Sequence, residues 1–270
     1  MMRAICNLWI SLCLLRLASC SDCVVEPEVQ LPDCVVEPEV DTDFSLLQHT
    51  ARAKSSMSDN DDPEMGVALQ VMMQPAEEEL LRKYFAKSTK YLEFGSGGST
   101  AAALKYPNLK SIQSVENYPP WVQKMKTRND VQEAELSGRL KFIVHDIGPV
   151  TEYGYPASTG IDEGFPTADQ FAKENFPKYC NTEDLDMEQL DFVLVDGRFR
   201  VNCFLNVLKY AGPDTRIAIH DYFRGIYHII ENFADKVEYA GSLNIFKVHA
   251  NIDQDELAKT ISKYEVVPAL

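Results

Sequence analysis

From residue 75 onward, apolar residues recur at two alternating spacings, one of three to four and one of two, which reads as helices interleaved with strands. Pro75 followed by Glu77, Glu78 and Glu79 opens a helix over 75–87. A proline in the first turn loses no needed N–H, and the acids complement the helix dipole. A strand at 90–94 runs into a glycine-rich turn and a small-residue helix over 99–106. A second strand follows at Ser111–Glu116, then a helix over 119–136 and a third strand at 140–146. Beyond an acidic insertion at 147–190, Phe192, Val193, Leu194 and Val195 form a buried strand at 191–196. Val201, Phe204, Leu205 and Leu208 repeat at helical spacing as far as the stop at Gly212-Pro213. A strand at 216–221, a helix with Ile226, Ile229, Ile230 and Phe233 on one face, and a hairpin of 237–240 and 243–249 around Gly241 complete the series.

This order implies an α/β fold, a doubly wound, mostly parallel seven-stranded sheet of Rossmann-like type with a C-terminal antiparallel hairpin. Ligands in such sheets bind beyond the carboxyl ends of the strands, so the residues there carry the candidate chemistry. The strongest motif is YLEFGSGGST at 91–100, a strand leading through glycines into a helix. Gly95 and Gly97 let the backbone approach a ligand, with Ser96 and Ser99 in the same turn and Glu93 just before it. Glu116 ends the second strand about 20 residues on, the spacing at which an acid accepts hydrogen bonds from ribose hydroxyls. Asp146 ends the third. DFVLVDGRFR at 191–200 and IAIHDY at 217–222 bring Asp196, His220 and Asp221 to the ends of the next two.

Over roughly residues 65–250 the sequence resembles the class I S-adenosylmethionine-dependent methyltransferases. The resemblance implies a Rossmann-like methyltransferase fold with S-adenosylmethionine as cofactor. It implies that Glu93, Gly95 and Gly97 surround the methionine and ribose portions, that Glu116 binds the ribose, and that Asp146 lies near the adenine. The usual third glycine is replaced by Ser99, beside Gly98. A nicotinamide-dependent dehydrogenase fits less well, because its third fingerprint glycine falls on Thr100. An aminopropyltransferase would have an acid pair after the fourth strand, where Gly197 follows Asp196.

Methyl transfer needs an aligned nucleophile and, for a hydroxyl, removal of its proton. His220 titrates in the right range for the base, with Asp221 the next candidate, and Asp196 is placed to orient the acceptor or face the sulfonium. Asp196 and Asp221 also match two metal-binding acids of catechol O-methyltransferase-like enzymes, but Tyr222 replaces the adjacent amide ligand, and no metal is expected. Arg198 and Arg200 are candidate contacts for an acidic acceptor. The insertion carries Tyr153, Tyr155, Phe165, Phe171, Phe176 and Tyr179, which either wall an acceptor pocket or pack the insertion onto the domain. The expected activity is transfer of a methyl group to an oxygen or nitrogen of a small-molecule acceptor; the alternative is a non-catalytic cofactor-binding or interaction module of the same fold.

Charge narrows the partners. The net charge of -15 is concentrated in two stretches, 21–64 with twelve acids against Arg52 and Lys54, and the insertion with nine acids against Lys173 and Lys178. No cluster of Lys and Arg offers itself to phosphates, which argues against nucleic acid. Residues 1–20 combine Arg3, an apolar stretch and the small residues Ala18 and Ser19, the grammar of a signal peptide. A secretory or extracytoplasmic location follows as an expectation, with a cytoplasmic or organellar one as the alternative. Leu17-Ala18-Ser19-Cys20 also resembles a bacterial lipoprotein box, so membrane contact is expected only through this leader, if uncleaved or lipidated. DCVVEPEV occurs at 22–29 and again at 33–40, and with its prolines and charge 21–64 reads as an extended spacer. Residues 251–270 read as a C-terminal helical tail. Five of the seven cysteines lie within the first 34 residues, which is not a disulfide scaffold; the single CxxC at Cys20 and Cys23 lacks the second ligand pair of a zinc site.

Overall fold

The computed structural model describes residues 69–157, 159–162, 165–168 and 170–268; the leader and the repeat-containing spacer lie outside these described residues. A seven-stranded sheet has β1 (Lys90–Phe94), β2 (Ser111–Glu116), β3 (Leu140–Val144), β6 (Phe192–Val195), β7 (Arg216–Ile219), β8 (Ala234–Ala240) and β9 (Leu243–Val248) in the order β3-β2-β1-β6-β7-β9-β8. All pairs are parallel except β7 with β9 and β8 with β9, so the expected terminal hairpin closes one edge. A separate antiparallel pair, β4 (Thr159–Asp162) with β5 (Phe165–Ala168), lies in the insertion.

The two-residue period of the strands sorts their side chains into two cores. Tyr91, Phe192, Leu194 and Ala218 face one side, together with Leu81 and Phe85 of helix α1 (Pro75–Phe85), Ala102 and Ala103 of α2 (Gly98–Leu104) and Val131 of α4 (Asn129–Leu136). Leu92, Phe94, Val193, Val195 and Ile217 face the other, against α5 (Gln170–Tyr179), α6 (Arg200–Leu208) and α7 (Gln254–Tyr264). Burial on both faces is why β6 and β7 read as continuous apolar runs.

Two expected elements differ. The helix over 119–136 is two helices, α3 (Pro119–Met125) and α4, because Thr127 bonds back to the Lys124 carbonyl and Asp130 accepts the N–H of Val131. Such short polar side chains compete with the helical ladder. The helix expected near Ile226 is a 3₁₀ helix, Gly225–Asn232, whose buried Tyr227 and Ile230, continued by Phe233, follow its three-residue turn. Within the C-terminal tail, α7 places Leu257 and Tyr264 in the core, and Val267 follows them there. Among the described residues, no helix is long and apolar enough to cross a membrane.

Candidate functional site

The C-terminal ends of β1, β2, β6 and β7 converge on the glycine turn. Gly95 has φ +98°, and a β-carbon on it would stand 2.7 Å from the Gly197 backbone. Gly98 is required by the chain passing over it, since a β-carbon there would lie 2.0 Å from the Gln70 carbonyl oxygen. Gly97 differs from both: its backbone is extended and a β-carbon would meet nothing within 4 Å. Of the two glycines singled out in the sequence, only Gly97 borders open space.

Glu93 is fully buried and accepts hydrogen bonds from four hydroxyls, those of Tyr91 (2.9 Å), Ser99 (2.6 Å), Ser114 (2.7 Å) and Thr100. A carboxylate has about four acceptor positions, so none is left for a ligand. Burial nevertheless pushes its carboxyl above the usual range, against the effect of the four donors. The expected direct contact between Glu93 and a cofactor is therefore corrected: Glu93 braces the turn from behind, and Ser99 is engaged in that brace. Thr100 completes it by accepting the Gly97 N–H at 2.9 Å.

Glu116 is also buried. Its Oε2 accepts the Ser96 N–H at 3.0 Å, and its Oε1 accepts those of Asn117 and Tyr118 at 2.8 and 3.1 Å. Burial raises its carboxyl despite these three donors. One acceptor position remains for a ligand. Ser96 also shares a hydroxyl contact with Ser114 at 2.6 Å, and its carbonyl accepts the Trp121 indole N–H at 3.0 Å. Asp146 is exposed just past β3, with Oδ1 accepting the Gly148 N–H at 2.8 Å.

Asp196, His220 and Asp221 come together as the strand order requires, and a residue outside every motif joins them. His220 is almost completely buried between Asp196, whose Oδ1 is 3.0 Å from Nδ1, and Glu77 of α1, whose Oε2 is 3.4 Å from Nε2. Only the doubly protonated ring donates to both carboxylates. Burial alone would lower its pKa, but Asp196, Glu77 and Asp221 outweigh it and hold it at about 10. Asp196 and Glu77 fall to about 2: burial opposes their charge, and His220 prevails, with Arg200 beside Asp196 and the Gln74 and Ser242 donors at Glu77. A histidine that carries its proton at neutral pH is not positioned to remove another, so the expected base at His220 does not match this geometry.

Arg200, also expected at an acidic acceptor, is buried inside the network. It donates to the His220 carbonyl (2.5 Å) and to Asp221 Oδ2 (3.1 Å), pairs with Asp196 Oδ1 (3.1 Å) and reaches the Gly197 carbonyl (3.0 Å). Asp196 Oδ2 accepts from no described residue, and its side chain is 25% exposed. Phe199 and Asp221 both have positive φ, 51° and 59°, a strained conformation that clusters at functional sites. Tyr222 lies buried with its hydroxyl bonded to Glu231 at 2.6 Å.

The insertion's aromatics divide between the two roles anticipated for them. Phe176 and Tyr179 pack into the core against Phe199, while Tyr153 and Phe171 are exposed; the Phe165 side chain lies outside the described residues. Asn117, after β2, donates to the Gly154 carbonyl at 2.8 Å and ties the insertion to the strand ends. Cys180 and Cys203 form a disulfide that joins the end of α5 to α6.

No protein-family model and no curated protein matches the sequence. Among solved structures, the chain is similar to a methyltransferase-like protein from Silicibacter pomeroyi, 28% identical with a TM-score of 0.61, over 74% of this chain and 98% of that one. An O-methyltransferase from Bacillus cereus in complex with SAH matches at 15% identity and a TM-score of 0.41, over 78% of this chain and 94% of that one.

Proposed function

We propose that the chain, whose sheet order and similarity to a methyltransferase-like protein support the reading, binds S-adenosylmethionine at the ends of β1, β2, β3 and β6 and methylates an oxygen or nitrogen of a small-molecule acceptor. One observation carries the reading: around the open space at Gly97, Glu116 retains one acceptor position and Asp196 leaves Oδ2 unengaged by any described residue. These suit a ribose hydroxyl and a cationic or N–H-bearing group. Asp146 fits the adenine end. The cofactor, when bound, supplies an electrophilic methyl group on a positively charged sulfur.

In this reading Asp196 Oδ2 accepts a hydrogen bond and faces positive charge. His220 and Arg200 fix Asp196 from behind, and the base role passes from His220 to Asp221. The two carboxylates engage His220 and Arg200, and no metal enters the reading. The part of the insertion tied to Asn117 borders the acceptor side. For location, a buried disulfide and a signal-like leader both suit folding in an oxidising, extracytoplasmic compartment.

Calorimetry with S-adenosylmethionine and S-adenosylhomocysteine, without added metal, tests the binding half. Well-folded protein that gives no heat of binding overturns the reading. The locked His220 cation also favours a second reading, a cofactor-binding module without turnover. Incubation with metabolite extracts and radiolabelled cofactor separates the two, because only the enzyme yields labelled product.

A further inference from the structure

Glu77 lies in the first turn of α1, outside the glycine turn and the strand-end motifs, yet only 2% of its surface is exposed. An acid that merely complemented the helix dipole would remain in water, since burying a carboxylate is costly unless it is fully partnered. Glu77 is fully partnered, and its partners come from three places. Its own helix entry supplies the Gln74 N–H at 2.7 Å. The β8–β9 turn supplies the N–H and hydroxyl of Ser242 at 2.6 and 2.8 Å. The end of β7 supplies His220. The turn is shaped around the carboxylate: Gly241 has φ +53°, and a β-carbon on it would stand 2.5 Å from Glu77 Oε1.

We infer that Glu77 is a positioning residue, which clamps the His220 ring from α1 so that Asp196 is held by Oδ1 and presents Oδ2 to a bound ligand; this rests on the cofactor site proposed above. With both ring nitrogens committed to carboxylates, His220 cannot rotate. Asp196 is therefore fixed by His220 and Arg200 together, and Arg200 is itself fixed by Asp221. The charged groups facing His220 are Glu77 from α1, Asp196 from the end of β6 and Asp221 beside it, with Arg200 from α6 behind both acids and Arg224 against Asp221.

The test uses the full chain with isotope-labelled histidine, comparing wild type, Glu77→Gln and Ser242→Ala. Ring-nitrogen NMR follows the His220 proton, and calorimetry follows S-adenosylhomocysteine affinity at about pH 6 and about pH 8.5. In the wild type, His220 keeps both protons across this range and affinity is flat. In Glu77→Gln, His220 titrates within the range, and affinity falls about tenfold at the higher pH, the effect of one charged hydrogen bond, but less at the lower pH. Ser242→Ala moves His220 in the same direction by less. A purely structural Glu77 would lower the melting temperature without this pH dependence, and a folded Glu77→Gln protein with wild-type His220 titration and affinity overturns the inference. If Glu77→Gln does not fold, Ser242→Ala decides, and an unshifted His220 there overturns it. A wild type that fails to bind S-adenosylhomocysteine overturns the cofactor reading alone, because the His220 titration still judges the clamp.

Discussion

Gly95 and Gly197 lie back to back at the ends of neighbouring strands, so close that a β-carbon on either would collide with the backbone of the other, at 2.7 and 2.9 Å. Gly95→Ala would also force alanine to φ +98°, and should cost about 2 kcal/mol or more of stability. Gly97→Ala should leave stability within about 1 kcal/mol of wild type, because its side chain enters open space. If that space is the cofactor's, Gly97→Ala weakens S-adenosylhomocysteine binding at least tenfold. Chemical denaturation and calorimetry on the two variants check both statements, and a Gly97→Ala protein with unchanged affinity moves the ligand away from the turn.

On the proposed reading Glu116 serves both fold and ligand, and its variants should show it. Glu116→Ala strands one buried and two partly buried backbone N–H groups, which predicts a loss of about 2 kcal/mol in stability, together with a tenfold to hundredfold loss of cofactor affinity. Gln fills the same space and keeps one acceptor oxygen, so Glu116→Gln should lose less stability. Denaturation midpoints and binding isotherms measured together separate the effects. Unchanged affinity in a folded Glu116→Gln protein would put the ribose elsewhere.

The centre of the sheet was legible because β6 and β7 are continuous apolar runs followed by Asp196 and His220, a pattern that burial on two faces imposes. Its site was legible only as far as position along the chain equals position in space. Asp196, His220 and Asp221 meet because β6 and β7 are neighbours. The number of donors around a carboxylate is not written in its strand, so Glu93, saturated by four hydroxyls, read like Glu116, which is not. Glu77 stood within a run of three acids, but it is in helical phase with Leu80, Leu81 and Phe85. An acid on the apolar stripe of a helix was the signal that could have revealed it. Arg200 likewise lies in the wholly buried face of α6. Cys180 and Cys203 are 23 residues apart, and rejecting a disulfide scaffold left a single bridge between them unconsidered.

The buried charge network fixes how stability should vary with pH. Glu77 and Asp196 have folded-state pKa values near 2, below their unfolded values, so their contribution is complete above the ordinary carboxylate range and is lost as pH falls toward 2. His220 lies near 10, above its unfolded value of about 6.5, so its contribution is complete below about 6.5 and is lost as pH rises through 10. Burial raises Glu93 and Glu116, which act in the opposite sense and soften the acid limb. Stability should therefore peak between about pH 5 and 6.5 and decline toward alkaline pH. The alkaline decline should flatten in His220→Asn, and thermal melts across pH check it; an equal alkaline slope in that variant would assign the effect to another group.

The Cys180–Cys203 disulfide joins the insertion to the core at a point that matters for the site. Tyr179, next to Cys180, places its hydroxyl in the space that Gly197 leaves by lacking a side chain, and its ring against Phe199 just before α6. Closing a loop of 23 residues removes unfolded-state entropy worth about 3 kcal/mol. Cys180→Ala/Cys203→Ala should accordingly unfold at lower denaturant, with stability reduced by about 3 kcal/mol. Hydrogen exchange should speed up in α5 and the start of α6 while β1 and β2 remain protected, because their contacts do not pass through the bridge. Cofactor affinity should change less than threefold, since neither Gly97 nor Glu116 is hydrogen-bonded to the bridged residues. Both sulfurs are buried, so alkylating native protein should label neither cysteine, whereas denaturing it after reduction should expose both. Peptide mass spectrometry of protein secreted through an oxidising compartment reads the bridge directly. Free thiols at Cys180 and Cys203 there would remove both the stabilisation and the support it lends to an extracytoplasmic location.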